Sequence, residues 1–500
     1  MVKTTWLGPV LLVAVAACGS SGESQDSPLL ESGVEALATS VEARPVTRNR
    51  DGVQAGARVA SAKPDRLQSF TGARTRVVWT QDVAHGTDIG SAGDRLLLMG
   101  YDSRDGLGER PILRQQSNYA KPLFTPLGDR IAFSNLQEQS VFIVNWDGSA
   151  LRKLGKGFAL ATWIDPKTRT EWVYVGRDEA RDPPSFGSVT RHQIDRWEVR
   201  ELVWDKRPVS GDTFQVSSDG RLAGGLFPWP TAGVAELPNG SFRRMGRGCW
   251  TALAGGDSQL FWIFDGAHRN LTIVDVDGEE RWQVKINDAP GIDGYEIYHP
   301  RWANHPRFLT MTGPYTVGTE ANKIRGGGRQ VEIYLGRFAA DFTDVESWVR
   351  VTDNRHADFY PDAWIDPGEQ PAAAPKRANR GARASLARDP ERSDRLVVEA
   401  RVVENAPIPT PESIAPYRRA LLVNEYEVVN VLEGSYQRTK ILVARWVIRD
   451  GKVLDTAVRE PGTVHRMTLE AYDEHAELEG ERLVMDSDAF DLPLYYHVDS

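Results

Sequence analysis

From about residue 74 onward the chain is built of short apolar stretches whose hydrophobic and polar positions alternate, broken at close intervals by Gly, Asp, Asn and Pro. Three such stretches open this part: "RVVWTQD" (76–82), "DRLLLMGYD" (94–102) and "RPILRQ" (110–115). A period of two sends successive side chains to opposite faces of a sheet, so each stretch predicts a strand. Residues 19–73 lack sustained alternation. They read as a tether, with a short amphipathic helix near "LLESGVEALATSVEA" (29–43). A Pro, Ala and Arg-rich linker (367–394) then divides a large block (74–366) from a smaller one (395–500).

The large block repeats. "AKPLFTPLGDRIAFSNLQEQSVFIVNWDGSALRKLGKG" (120–157), "FQVSSDGRLAGGLFPWPTAGVAELPNGSFRRMGRG" (214–248) and "WTALAGGDSQLFWIFDGAHRNLTIVDVDGEERWQVK" (250–285) each read strand, turn, strand, loop, strand, turn, strand. Asp147-Gly148, Asn239-Gly240 and Asp277-Gly278 suit type I′ turns, whose positive φ angles match strand twist. A four-stranded sheet repeated in this way predicts a β-propeller, because one sheet cannot bury both faces until its neighbours stack around an axis. Six segments would open blades: 121–126, 160–166, 213–218, 250–255, 298–303 and 359–367. The last has no blade after it, and the block begins with three strands lacking an opener. Closure of the ring by the final strand leaves no long unpaired edge.

The first repeat resembles the TolB type, with Pro122, Pro126, Gly128, Ile131, Ala132, Phe133, Asp147, Gly148 and Leu154 in the positions of that motif. The resemblance implies a TolB-like (WD40-like) six-bladed propeller over residues 74–366, with one strong and several weak copies. In the smaller block, "DRLVVEARVVEN", "ALLVNEYEVVNVLEGSY", "TKILVARWVIRDGKV", "HRMTLEAYDEH" and "GERLVMDSD" predict about five strands. "YEVVNVLEGSYQRTKILVARW" resembles the second and third strands of small OB-like barrels of the netrin or TIMP-like kind, and a small β-sandwich is the alternative. The fold class is therefore all-β throughout. Fifteen Trp, 45 Gly and 29 Pro agree with many short strands and tight turns.

Charge and the N-terminus bear on location. A net charge of −9 removes the basic footprint that nucleic-acid binding requires. Lys3 precedes "WLGPVLLVAVAAC", an apolar run the length of a secretory signal and shorter than the roughly 20 residues of a membrane span. Val15, Ala16, Ala17 and Cys18 resemble the lipobox of bacterial lipoproteins, which implies a signal peptide (1–18), acylation of Cys18, and anchoring in the envelope, at the outer membrane facing the periplasm or the cell surface. The one other cysteine, Cys249, would then have no partner and serve as a small buried residue.

Candidate chemistry is sparse. No G-x-S-x-G elbow, Walker A, H-E-x-x-H or dinucleotide fingerprint occurs, so no cofactor or metal is expected. Side chains at the blade openers converge on the central channel, which makes Asn118, Tyr119, Lys121, Gln215, Trp250, His299, Arg301 and Tyr360 the candidate ligand-binding set, with Asp362 beside them. Aromatic and basic groups together suit stacking on, and hydrogen bonding to, a glycan or peptide. "FDGAHRN" (264–270) offers Asp265, His268 and Arg269 as a surface site or as a pair stabilising its loop, and "FPWP" (227–230) would expose Trp229. These features predict a lipid-anchored envelope protein that binds or scaffolds a glycan, peptide or protein partner without catalysis. The alternative is a polysaccharide hydrolase or lyase, which would need two carboxylates across the channel mouth, with Asp362 and Glu296 the nearest pair. A steric role in an envelope assembly is a third reading.

Overall fold

A computed structural model describes residues 65–500 except 182–183, 257–258, 278–280, 293, 316–327, 370–394, 405, 415–416, 479, 486, 488, 490–491 and 500. Cys18, the signal segment, the helix expected near 29–43 and most of the linker lie outside the described residues.

Six antiparallel sheets follow one another along the chain, each ordered from an inner to an outer strand. Their inner strands are Ala120–Phe124, Phe158–Ile164, Gln215–Val216, Thr251–Leu253, Glu296–Trp302 and Ala357–Ile365. The last pairs antiparallel with Thr75–Asp82, so the strand latest in the block completes blade 1 and closes the ring. We number the blades from this one, so that Ala120–Phe124 opens blade 2 and Glu296–Trp302 opens blade 6. The end at which inner strands begin is called the entry face.

Blade contacts follow from a few recurring residues. Trp364, on the inner strand of blade 1, lies over the first turn of blade 2, and its indole Nε1 donates to Pro126 O at 3.0 Å. Gly128 in that turn has φ +74°, and a Cβ there would stand 2.3 Å from the Trp364 ring. Trp163 of blade 3 repeats the arrangement over Gly220 of blade 4, donating to Ser218 O at 2.9 Å. Both tryptophans belong to the same written motif, W-I-D-P. The turns depart from expectation: at Asp147-Gly148 and Asn239-Gly240 one residue of each pair, Gly148 and Asn239, has positive φ, whereas type I′ requires both. The connection after Asn145 runs to Arg152, longer than a two-residue hairpin loop.

The C-terminal strands close a five-stranded barrel. Arg395–Glu404 pairs with Ala420–Glu433, which pairs with Lys440–Arg449; Leu494–His497 joins the latter in parallel and returns through Val464–Ala471 to the first strand. Its interior holds Leu396, Val398, Tyr426, Val443, Met467 and Tyr495. Arg482–Met485, expected within the barrel, instead runs parallel beside Ala420–Val423, outside the closed circuit. The closing strand has only four residues, too short for alternation to reveal.

The barrel rests on the entry face over blades 4 to 6. Arg482 donates from Nη2 to Glu296 at 3.0 Å and from Nη1 to Gly266 O at 3.1 Å, while the Leu483 amide reaches the same carbonyl. Trp229 of blade 4 packs edge-on against Tyr417 of the barrel, with centroids 5.0 Å apart. Trp229 is thus half-buried in this junction, which corrects its expected role as an exposed platform. Residues at the end of the expected tether also belong to the folded body: Arg66–Thr71 form a helix capped by Asp65, with Leu67 buried and Arg66 donating to Val351 O.

Candidate functional site

Three inner strands carry the same irregularity. Lys121, His299 and Tyr360 have φ of +48°, +49° and +49°, each is followed by proline, and strand register shifts at each. A non-glycine residue with positive φ costs on the order of 1 kcal/mol or more and persists only where its surroundings hold it. Here the bulge brings the three side chains into one channel cavity with Trp250, Arg301 and Asp212. Strict alternation along 298–304 therefore fails at His299.

The cavity is almost filled. Its volume is about 10 Å³, room for roughly one water. Lys121 Nζ donates to Leu160 O at 2.9 Å and to Gly211 O. Arg301 Nε donates to Asp362 Oδ1 at 3.0 Å, and the Phe124 amide donates to Oδ2 at 2.8 Å. His299 places Nε2 3.1 Å from Ile89 O and Nδ1 3.2 Å from the Thr312 hydroxyl. Because a carbonyl can only accept, Nε2 carries the ring proton. Trp250 closes the cavity edge-on to His299, with centroids 5.3 Å apart.

Burial governs the titration of this cluster. It depresses the Lys121 amine, lowers His299 to about 3 and lifts Asp212 to about 6, against the pull of Lys121. It also lifts Asp362, although Arg301 and the Phe124 amide act in the opposite direction. His299 is consequently neutral at physiological pH. The assembly joins strands from several blades through hydrogen-bonded polar groups.

The remaining sequence candidates lie elsewhere. Asn118 is buried and pins loops, donating to Ser91 O and Gly93 O and accepting from the Leu136 amide. Tyr119 donates to Gln115 O and packs on Phe133. Gln215 accepts from the Leu253 amide, joining blades 4 and 5. These three were expected in the channel set, and their side chains serve packing because each has a backbone partner within reach. Glu296 is held by Arg482 and by His268 Nδ1 at 3.0 Å beneath the barrel. Glu296 and Asp362 thus share neither partner nor described cavity, so the structure does not assemble the carboxylate pair. His268 and Arg269 are buried at the same junction, which corrects their reading as a surface site; Asp265 accepts from the Arg269 backbone and the Asn270 carboxamide. His305 accepts from the Arg307 amide, a structural role. Cys249 is buried and disulfide-bonded, where an unpaired thiol was expected.

Sequence reasoning missed Asp212, three residues before the inner strand of blade 4 (Gln215–Val216), because the opener was placed at Thr213. It also missed the cleft where blade 5 meets the barrel, about 250 Å³ in volume. Nothing in a linear pattern places these distant segments together. Among the described residues no group of three or more His, Cys, Asp or Glu could hold a metal ion, and no helix is long and apolar enough to cross a membrane.

The strand pairing defines a six-bladed propeller carrying a small closed barrel. No family model matches the sequence, and no curated protein matches it significantly. Among solved structures the chain is similar to TolB from Acinetobacter baumannii, at 13% identity over 59% of this chain and 69% of that one, with a TM-score of 0.39. A putative TolB from Agrobacterium tumefaciens is 12% identical over 57% of this chain and 90% of that one, TM-score 0.36. A prolyl endopeptidase is 11% identical over 55% of this chain and 43% of that one, TM-score 0.32. The architecture rests on the strand pairing described above.

Proposed function

We propose that this protein is a non-catalytic binding or scaffolding component of a bacterial cell envelope, whose propeller offers its entry face to a protein, peptide or glycan partner. The observation that carries the reading is that the channel's polar groups are held by backbone carbonyls and by one another around a space of about 10 Å³. Such a channel is a rigid framework that admits no sugar ring at this depth. Recognition then falls to the entry loops, beside the wall made by the docked barrel. Lys121, Trp250, His299, Arg301 and Tyr360 set the shape of that mouth from below.

The test uses a soluble Cys18→Ser form to capture partners from envelope extract, beside entry-loop variants His85→Glu and Arg355→Glu and the opposite-face variant Leu127→Glu. The reading expects one stoichiometric partner, lost with the entry variants and kept with Leu127→Glu. Loss with Leu127→Glu alone, or turnover of a polysaccharide panel abolished by Asp362→Asn, would overturn it. Anchoring is read separately by intact mass of the mature native protein. With two cysteines in the chain, a lipid thioether at Cys18 rules out a disulfide between Cys18 and Cys249. A diacylglycerol adduct on Cys18 supports the anchor, and an unacylated chain with Cys249 oxidised refutes it.

A further inference from the structure

The cleft between blade 5 and the barrel has two unlike walls. Gln283, Lys285 and Asn287, on and just beyond the outer strand Arg281–Lys285, form a polar wall, while Leu442, Leu483 and Leu494 of the barrel form an apolar one. A cleft at a domain junction with an apolar lining and a few fixed polar groups is the usual form of a ligand site.

Asn287 supplies the second observation. It is 1% exposed, and its Nδ2 donates to Gly294 O at 2.5 Å, which fixes the orientation of the carboxamide. Its Oδ1 is buried and finds no donor among the described residues, although Asn287 lines the cleft. A buried acceptor left unmet costs on the order of 1–3 kcal/mol, so a ligand N–H delivered there is favoured. Lys285 is exposed, lies two residues away and lines the same space. Of the carboxylates nearby, Asp265 is engaged by the Arg269 amide and Asn270, and on the barrel rim His475 contacts Glu477 at 2.7 Å and Glu470 at 3.2 Å; Asp473 also lines the cleft.

We propose that this cleft binds the C-terminal residue of a polypeptide that ends in an aliphatic side chain. The side chain rests on the leucine wall, the amide N–H of the last residue meets Asn287 Oδ1, and the terminal carboxylate pairs with Lys285. A carboxylate paired with an ammonium forms a charge-assisted hydrogen bond that the neutral amide cannot match, which favours the acid.

The test measures binding of N-acetyl-L-leucine, N-acetyl-L-leucinamide and N-acetylglycine to the full chain by saturation-transfer NMR titration. The acid is expected to bind about tenfold more tightly than the amide, and N-acetylglycine not to saturate. Lys285→Gln should bring acid and amide to equal affinity. Gln283→Trp, which fills the cleft, should abolish both. Thermal unfolding of each variant checks that the fold is intact; if Gln283→Trp lowers the midpoint, Lys285→Gln decides alone. Equal affinity for acid and amide in the native protein, binding unaffected by Lys285→Gln, or saturation by none of the probes would overturn the proposal.

Discussion

Asp358 offers a quantitative test of the ring closure. It sits near the start of the closing strand, fully buried, and accepts from Trp79 Nε1 at 2.7 Å, Gln81 Nε2 at 2.9 Å and Asn354 Nδ2 at 2.8 Å. Burial, reinforced by the nearby Glu332 carboxylate, pushes its pKa from 3.8 up to about 8. An acid whose folded pKa is raised contributes most below its unfolded pKa, near 4, and loses that contribution as pH rises toward 8. At about 1.4 kcal/mol per unit, the loss is on the order of 5 kcal/mol across that window. Asp358→Asn holds the neutral form at every pH. Its Oδ1 keeps Trp79 and Gln81, but its Nδ2 faces the Asn354 donor, a mismatch of about 1–2 kcal/mol. Urea unfolding at pH 5 and pH 9 should therefore show the variant about as stable as the native protein at pH 5, where the native chain has already lost about 1.5 kcal/mol, and more stable at pH 9. Equal destabilisation at both pH values would refute the assignment of a neutral, buried Asp358.

Two further predictions follow from packing. Arg482→Met leaves Glu296 buried with one partner fewer, so it should lower stability by about 3–5 kcal/mol, and adding Glu296→Gln should recover part of it; no loss in the single variant would mean that the ion pair does not hold the barrel down. Gly128→Ala and Gly106→Ala both place a Cβ at positive φ, +74° and +69°, but only the former meets Trp364, at 2.3 Å, while the latter meets nothing within 4 Å. The expected costs in denaturant titration are about 3 kcal/mol or more for Gly128→Ala and about 1 kcal/mol for Gly106→Ala; equal costs would remove the tryptophan clasp from the account.

The propeller was legible because its information is local. Alternation, turn residues and the unmatched last opener at 359–367 together implied six blades and their closure, which the pairing of Thr75–Asp82 with Ala357–Ile365 realises. The channel was partly legible, since the inner-strand positions of Lys121, Trp250, His299, Arg301 and Tyr360 were predictable from blade counting. The positive-φ bulges were not, although the X-Pro pairs Lys121-Pro122, His299-Pro300 and Tyr360-Pro361 marked them. What could not be read was anything set by tertiary docking. Glu296 and His268, buried, and Trp229, half-buried, looked available in the sequence and are covered because the barrel settles on them, and that docking depends on surfaces contributed by segments some 200 residues apart, as between Gly266 and Arg482, 216 positions apart.

The central claim, recognition at the entry face, is tested most directly by site-specific photo-crosslinking in intact cells. A photoreactive residue at His85 or Arg355 on the entry side, and at Leu127 on the opposite side, samples both faces of the same propeller. The account predicts a discrete adduct from His85 and Arg355 and none from Leu127. A discrete adduct from Leu127 with none from the entry positions would contradict it.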